Sequence, residues 1–215
     1  MFREKQKEVS VTKEELIQFE ADVVATFEKG KIRGAVHLSN NNEDALIDIF
    51  QYVHPQDWVF STWRNHYHAL LHGVPKEELM NAITSAHSIS FQSPAHYFYT
   101  SAIVNGTMPI AVGAALGLKQ SGSSRMVWCF IGDMASESGV FYEALKYSVR
   151  NNLPIHFVIE DNGLSTNTPT QDAWGKEGPS IGIDIDKETY DKYVTRYSYV
   201  RGIYPHVGVG KFIHF

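Results

Sequence analysis

At 215 residues, with 43% hydrophobic and 20% charged content and no shift in composition along its length, the chain is expected to form a single domain spanning 1–215 around one core. Lys and Arg total 19 against 24 Asp and Glu, a net charge of −5 with a pI near 6.0. Nucleic acid is therefore repelled as a partner, and any bound phosphate has to be held locally. The one cysteine, Cys129, excludes an intrachain disulfide and a zinc–cysteine site and fits a reducing cytoplasm, while the charged residues 1–10 lack a signal-type apolar stretch and the longest apolar run, 108–118, is too short to span a bilayer.

Along the chain, Thr12 and Glu15 form a capping box ahead of Leu16, Phe19, Val23, Val24 and Phe27, which recur at helical spacing until Gly30. A second helix is predicted over 43–53, stopped by Pro55, then a short buried strand over 58–62 and a proline-opened helix over 75–84. Residues 85–105, rich in Ser, His, Tyr and Phe, show no clean period and read as a long loop over a surface or site. The helix predicted over 109–120 carries Ala111, Gly113, Ala114, Ala115 and Gly117, which would let it approach its neighbours closely as a buried element.

The clearest unit is a strand over 126–131, a helix over about 139–150 and a strand over 155–159. Both strands are continuously apolar, as in a parallel sheet covered on both faces. Beyond Asn162 the chain turns polar, with a helix around 187–193 and strands at 197–200 and 211–215.

In a parallel βαβ unit both strand ends emerge on one edge of the sheet, so Asp133 and Asn162 converge where open α/β sheets bind ligands. A carboxylate and an amide oxygen suit Mg²⁺, which completes its shell with water and phosphates. The next helix, starting near Gly139, offers free N–H groups and a positive dipole end to an anion. On spacing alone, Asp133 reads equally as a helix cap and Asn162-Gly163 as a turn. Neither a G-x-x-x-x-G-K-[ST] loop nor a G-x-G-x-x-G turn is present.

The run Ile131-Gly132-Asp133-Met134-Ala135-Ser136-Glu137-Ser138-Gly139-Val140-Phe141-Tyr142-Glu143-Ala144, followed by Asn151-Asn152-Leu153-Pro154 and Glu160-Asp161-Asn162, resembles the thiamine-diphosphate motif of the α subunits of 2-oxo acid dehydrogenase E1 components. That motif begins Gly-Asp-Gly and ends in Asn. Residues 32–38, 60–66 and 102–106 are similar to further family segments in the same order. The resemblance implies an α/β thiamine-diphosphate-binding fold, three αβα layers about a mostly parallel sheet, of the type that holds the Mg-diphosphate. It assigns Mg²⁺ to Asp133, Asn162 and the Leu164 carbonyl, the diphosphate to Arg64, and contacts with the cofactor to Trp63, Ala102, Val104, Gly132, Met134 and Ala135. His66 and His37 match histidines near the reacting end of the cofactor, with His66 favoured as proton donor. Read from the residues alone, His66, His68 and His72 could instead form a metal cluster, although no carboxylate or cysteine stands at ligand spacing.

The implied activity is oxidative decarboxylation of a 2-oxo acid with acyl transfer to a lipoyl carrier. No candidate for the Glu that activates the cofactor is found in the chain, so a β-type E1 subunit is expected as partner in a heterodimer or heterotetramer, with a lipoyl E2 protein beyond it. A transketolase-like or carboligase half-enzyme and a non-catalytic, partner-binding relative are the alternatives. Two departures from the family are plain. Met134 stands where the motif has its second glycine, and the chain is shorter than typical E1 α subunits, with no counterpart of their late histidine loop except a Tyr204-Pro205-His206 segment.

Overall fold

A computed structural model describes residues 4–174 and 185–210; the strand expected at 211–215 lies outside them. Helix α1 (Lys13–Glu28) starts at the expected capping box, the Thr12 hydroxyl accepting from the Glu15 amide (3.2 Å) and the Glu15 carboxylate from the Thr12 amide (3.0 Å). Helix α2 (Glu43–Phe50), strand β1 (Trp58–Ser61), α3 (His66–Leu71) and α4 (Lys76–Thr84) follow. Helix α2 ends earlier than the pattern suggested, and Pro75 caps α4 from outside its first turn. The stretch expected to be a loop contains strands β2 (Gln92–Ser93) and β3 (Phe98–Thr100). Both are too short to show a period. Then come α5 (Thr107–Gln120), β4 (Val127–Gly132), α6 (Asp133–Ser136), α7 (Gly139–Arg150), β5 (Ile155–Asp161), the small hairpin β6 (Leu164–Ser165) and β7 (Thr168–Pro169), α8 (Thr170–Trp174), α9 (Lys187–Tyr193) and β8 (Val194–Ser198).

The main sheet runs in the order β2-β3-β1-β4-β5-β8, and only the β2–β3 pair is antiparallel. The predicted βαβ unit is its centre, with Val127 opposite Ile155 and Gly132 opposite Glu160. Alternation along β4 divides the core in two. Trp128 and Phe130 face Leu16, Phe50 and Leu79 from α1, α2 and α4. Val127, Cys129 and Ile131 face Met108 and Ala111 of α5 and Leu145 of α7. Each strand thus buries both faces, which is why both read as unbroken apolar runs. Burial pushes the Cys129 thiol up to about 12, so it packs as a small apolar group.

Helix α5 departs from expectation. One face, with Met108, Ala111, Ala115 and Leu118, is buried, but Ile110 is 46% exposed. A Cβ on Gly113 or Gly117 would meet nothing within 4 Å. Gly113 and Gly117 therefore leave room that no described residue fills, while Ala111 and Ala115 pack in the core.

His156 is fully buried on β5, its Nδ1 donating to the Lys192 carbonyl (3.1 Å) and its Nε2 accepting from the Thr195 hydroxyl (2.9 Å). Burial holds its imidazole down at about 3. Unfolded chains take up this proton near the ordinary histidine value of about 6.5, whereas folded chains refuse it until about 3. Stability therefore falls as pH drops through that window. Between pH 7 and 5 we expect this residue to account for about 2 kcal/mol of lost stability. Urea midpoints at the two pH values measure it, and in His156→Gln the difference between them should shrink by that amount.

Candidate functional site

At the C-terminal edge of the sheet the strand tips enclose a cleft of about 220 Å³. Each tip contributes: Trp63 and Arg64 after β1, Gly132, Asp133, Met134 and Ala135 at β4, Glu160 and Asn162 at β5, and Tyr199 and Arg201 after β8. Leu164 enters from β6, Val104 from the segment before α5, and His206 from the C-terminal stretch. Asp133 and Asn162 thus meet in one cleft, as the βαβ geometry required.

Asp133 is 2% exposed, and no ion pair joins it to Lys or Arg among the described residues. Burial raises its carboxyl above the usual range, against a hydrogen bond donated by the Thr170 hydroxyl that pulls it down. A desolvated carboxylate of this kind gains from a bound cation. The Asn162 amide oxygen accepts from the Leu164 amide (3.0 Å) and its Nδ2 donates to the Tyr199 hydroxyl (3.2 Å). That fixes which end of the amide is oxygen and leaves a second lone pair on it. The donor set is hard oxygen throughout, as Mg²⁺ requires.

The Arg64 guanidinium donates to the Leu38 carbonyl with one Nη and lines the cleft with the rest. Met134 lies in α6 at negative φ, so the missing motif glycine leaves no strained backbone. Its sulfur faces the indole N–H of Trp174 at 2.7 Å. The uncapped helix start at the cleft is that of α6, whose N-cap is Gly132; helix α7, expected to offer its free N–H groups, is capped by its own Ser138 hydroxyl.

Not every expected residue reaches the cleft. Ala102 is exposed beside the mouth, between the lining residues Ser101 and Ile103. His37 lies behind the lining, its ring centroid 5.7 Å from Trp63 and 4.7 Å from His206, with its Nδ1 donating to the His206 carbonyl (2.6 Å). Burial, helped by Arg64, holds it down at about 3, so it is neutral at physiological pH. His66 is fully buried at the start of α3 and is not among the lining residues, with Nε2 2.9 Å from the Ser88 hydroxyl and Nδ1 3.4 Å from Glu20. His68 and His72 turn to Glu160 and to the Asp57 carbonyl. The three imidazoles therefore serve separate partners.

Sequence reasoning missed Glu160, Tyr199, Arg201 and the Thr170 contact. Glu160 is buried, its Oε1 accepting from the Tyr197 hydroxyl (2.6 Å) and from His68 Nε2 (3.1 Å). Its place directly before Asp161-Asn162 was the available signal. Residues 199–208 form a strap that crosses the segment 36–41: the Gly208 amide donates to the Val36 carbonyl (2.8 Å), Asn41 Nδ2 donates to the Val200 carbonyl (3.1 Å), and Gly202 lies where a Cβ would strike the Asn40 side chain. No local pattern announces such a crossing.

A family model described as dehydrogenase E1 component matches residues 12–182. The chain is 32% identical over 161 residues to the pyruvate dehydrogenase E1 component subunit alpha of Porphyra purpurea, covering 67% of this chain and 47% of that one. It is 32% identical over 160 residues to the alpha subunit of an acetoin:2,6-dichlorophenolindophenol oxidoreductase of Cupriavidus necator, covering 70% and 48%. Over 210 residues it is 30% identical to a chloroplastic pyruvate dehydrogenase E1 subunit alpha-3 of Oryza sativa subsp. japonica, covering 81% and 49%. The chain spans about half the length of these relatives. Among the described residues no helix is long and apolar enough to cross a membrane.

Proposed function

The chain belongs to the dehydrogenase E1 component family, and from that membership we propose that it is the α-type subunit of a thiamine-diphosphate- and Mg²⁺-dependent 2-oxo acid dehydrogenase E1 enzyme. The observation that carries this reading is the meeting of Asp133, Asn162 and Arg64 in one cleft, with Asp133 desolvated and, among the described residues, no cationic side chain in an ion pair with it. When bound, thiamine diphosphate supplies the electron sink through which a 2-oxo acid loses CO₂.

The chain's share is holding and orientation. Asp133, the Asn162 amide oxygen and the Leu164 carbonyl would hold Mg²⁺, and the Arg64 fork would pair with phosphate oxygens. The backbone of Gly132, Met134 and Ala135 would border the diphosphate. Trp63 and Val104 would pack against the organic part, with Ala102 at the mouth. His66, sealed behind the wall, positions the Trp63-Arg64 loop through α3, and His37 positions His206 through its carbonyl.

A β-type subunit completes the site. The cleft is smaller than the roughly 300–1,000 Å³ of pockets that enclose a whole small ligand. Beside it, Ile103 (74% exposed), Val104 (58%), Ile110 and the open Gly113 and Gly117 make an apolar face that continues from its lining. Apolar surface contiguous with a site is what an obligate partner covers. Transfer of the acyl group to a lipoyl carrier in the cytoplasm completes the reading.

Calorimetric titration of thiamine diphosphate into the chain, with and without a co-expressed β-type subunit, tests it. Binding that requires Mg²⁺ and tightens at least tenfold with the subunit is the expected result. Titrations without heat under both conditions would leave a chain that kept the fold and lost the cofactor.

A further inference from the structure

Glu20 sits on α1, outside the cleft, and only 1% of it is exposed. Its Oε1 accepts from the Ser39 amide (2.8 Å) and stands 3.4 Å from His66 Nδ1. Both contacts lead to Arg64. The Ser39 N–H belongs to the same peptide group as the Leu38 carbonyl, and that carbonyl accepts from the Arg64 guanidinium. Because the peptide unit is planar and rigid, fixing its N–H also fixes the direction of its carbonyl. His66 opens α3 two residues after Arg64, and its Nε2 is held in turn 2.9 Å from the Ser88 hydroxyl. A single carboxylate therefore bears on both the acceptor that the Arg64 side chain reaches and the backbone from which it reaches.

Stability gives little reason for this arrangement. Glu20 Oε2 and His66 Nδ1 are buried and, among the described residues, neither has a hydrogen-bond partner. No Lys or Arg among those residues forms an ion pair with Glu20. A carboxylate buried in this way costs a fold free energy. What it supplies is direction. A guanidinium takes two phosphate oxygens only when its planar fork is correctly turned, and a long side chain already held in place gives up less freedom when the anion arrives.

Resting on the reading above, we propose that Glu20 is a positioning residue for the diphosphate end of the site, which holds the Arg64 guanidinium at the cleft through the Leu38–Ser39 peptide and His66. The group it serves is the phosphate anion of the cofactor, and Glu20 itself touches none of it.

The test is calorimetric titration of Mg-pyrophosphate into the full chain, alone and alongside its β-type subunit, with urea midpoints showing that each variant is folded. Glu20→Met fills the same space without an acceptor, and Glu20→Gln keeps an acceptor oxygen at the same reach. Glu20→Met should bind at least fivefold more weakly than the unaltered protein, and Glu20→Gln within twofold of it. Added to Arg64→Gln, Glu20→Met should change the affinity by less than twofold, because Glu20 acts only through Arg64. Should Glu20→Met not fold, Glu20→Asp, whose carboxylate is one methylene short of Ser39, takes its place with the same expected loss. Unchanged affinity in the single variant, or losses that multiply in the double variant, overturn the proposal and leave Glu20 a core residue. So does a Glu20→Gln variant that binds as weakly as Glu20→Met, since Arg64 would then not depend on the acceptor. If the unaltered protein, with its subunit, binds neither Mg-pyrophosphate nor thiamine diphosphate, the cofactor reading itself fails and this assignment falls with it.

Discussion

Replacing Asp133 with Ala should weaken Mg²⁺-dependent binding of thiamine diphosphate by about 100-fold or more, a loss of roughly 2.7 kcal/mol, while the unloaded fold becomes no less stable. The two halves of this result have one cause. Asp133 is buried without a cationic partner among the described residues, and burial raises its carboxyl, so the ionised side chain costs the empty fold free energy. For a group with a raised folded pKa, stability declines as pH rises through that value, because the unfolded chain ionises more readily. Removing the carboxylate removes the cost. In the proposed Mg²⁺ site the same desolvated charge would be the strongest ligand, since Asn162 and the Leu164 carbonyl offer only neutral oxygens. Calorimetry in the presence and absence of Mg²⁺, paired with urea denaturation of the unloaded protein, reads both effects. A variant that unfolds more easily and still binds would mean that Asp133 is a structural cap.

Asp57→Ala carries the largest expected stability effect. Asp57 is fully buried just ahead of β1, its Oδ1 accepting from the Met126 amide (2.8 Å) and its Oδ2 from the His54 amide (2.9 Å) and the Trp128 indole (3.1 Å). One carboxylate thus ties the starts of β1 and β4 and anchors the side chain of Trp128 in the core. Alanine leaves three donors without this acceptor, the Trp128 indole fully buried and the His54 and Met126 amides half-buried, at about 1–3 kcal/mol for each buried group left unsatisfied. Allowing for relaxation, a loss of about 3–5 kcal/mol is expected, a fall of roughly 10 °C or more in Tm for a chain of this size. Asp57→Asn keeps one oxygen acceptor and should recover part of it. The molecules that remain folded should bind cofactor normally, because this cluster sits at the opposite edge of the sheet from the cleft.

The central β4-α7-β5 unit was legible because its signals are local: unbroken apolar strands, an amphipathic helix, and polar residues immediately past each strand. Asp133 and Asn162 were legible as residues just past two neighbouring parallel strands, whereas Trp63 and Arg64, which line the same cleft, were pointed to only by the family resemblance. Direction was harder to read. His66 sits at the first position of α3, and a single helical turn gives no period from which to tell that its side chain points inward to Glu20 and Ser88. Strands β2 and β3 are shorter than any periodic window. Arg201, Tyr199 and His206 depend on a strap whose contacts reach back to residues 36–41, and a sequence separation of 169 between His37 and His206 leaves no neighbouring pattern to read. The expectation that α5 is a buried element holds for one face only: small residues record how closely something could approach, not on which side of the helix it does.

The strap also sets an order of events during synthesis. Chains emerge from the ribosome with early residues first, at about 5–20 residues per second, so the segment 36–41 and the strands β1, β4 and β5 are available well before residue 206. The cleft's far wall is the last part to close, and loop closure over so long a separation comes late in folding. A nascent chain can therefore bring Asp133, Asn162 and Arg64 together while this wall is still open, and a premature stop shortly after β8 would leave the cleft without Tyr199, Arg201 and His206.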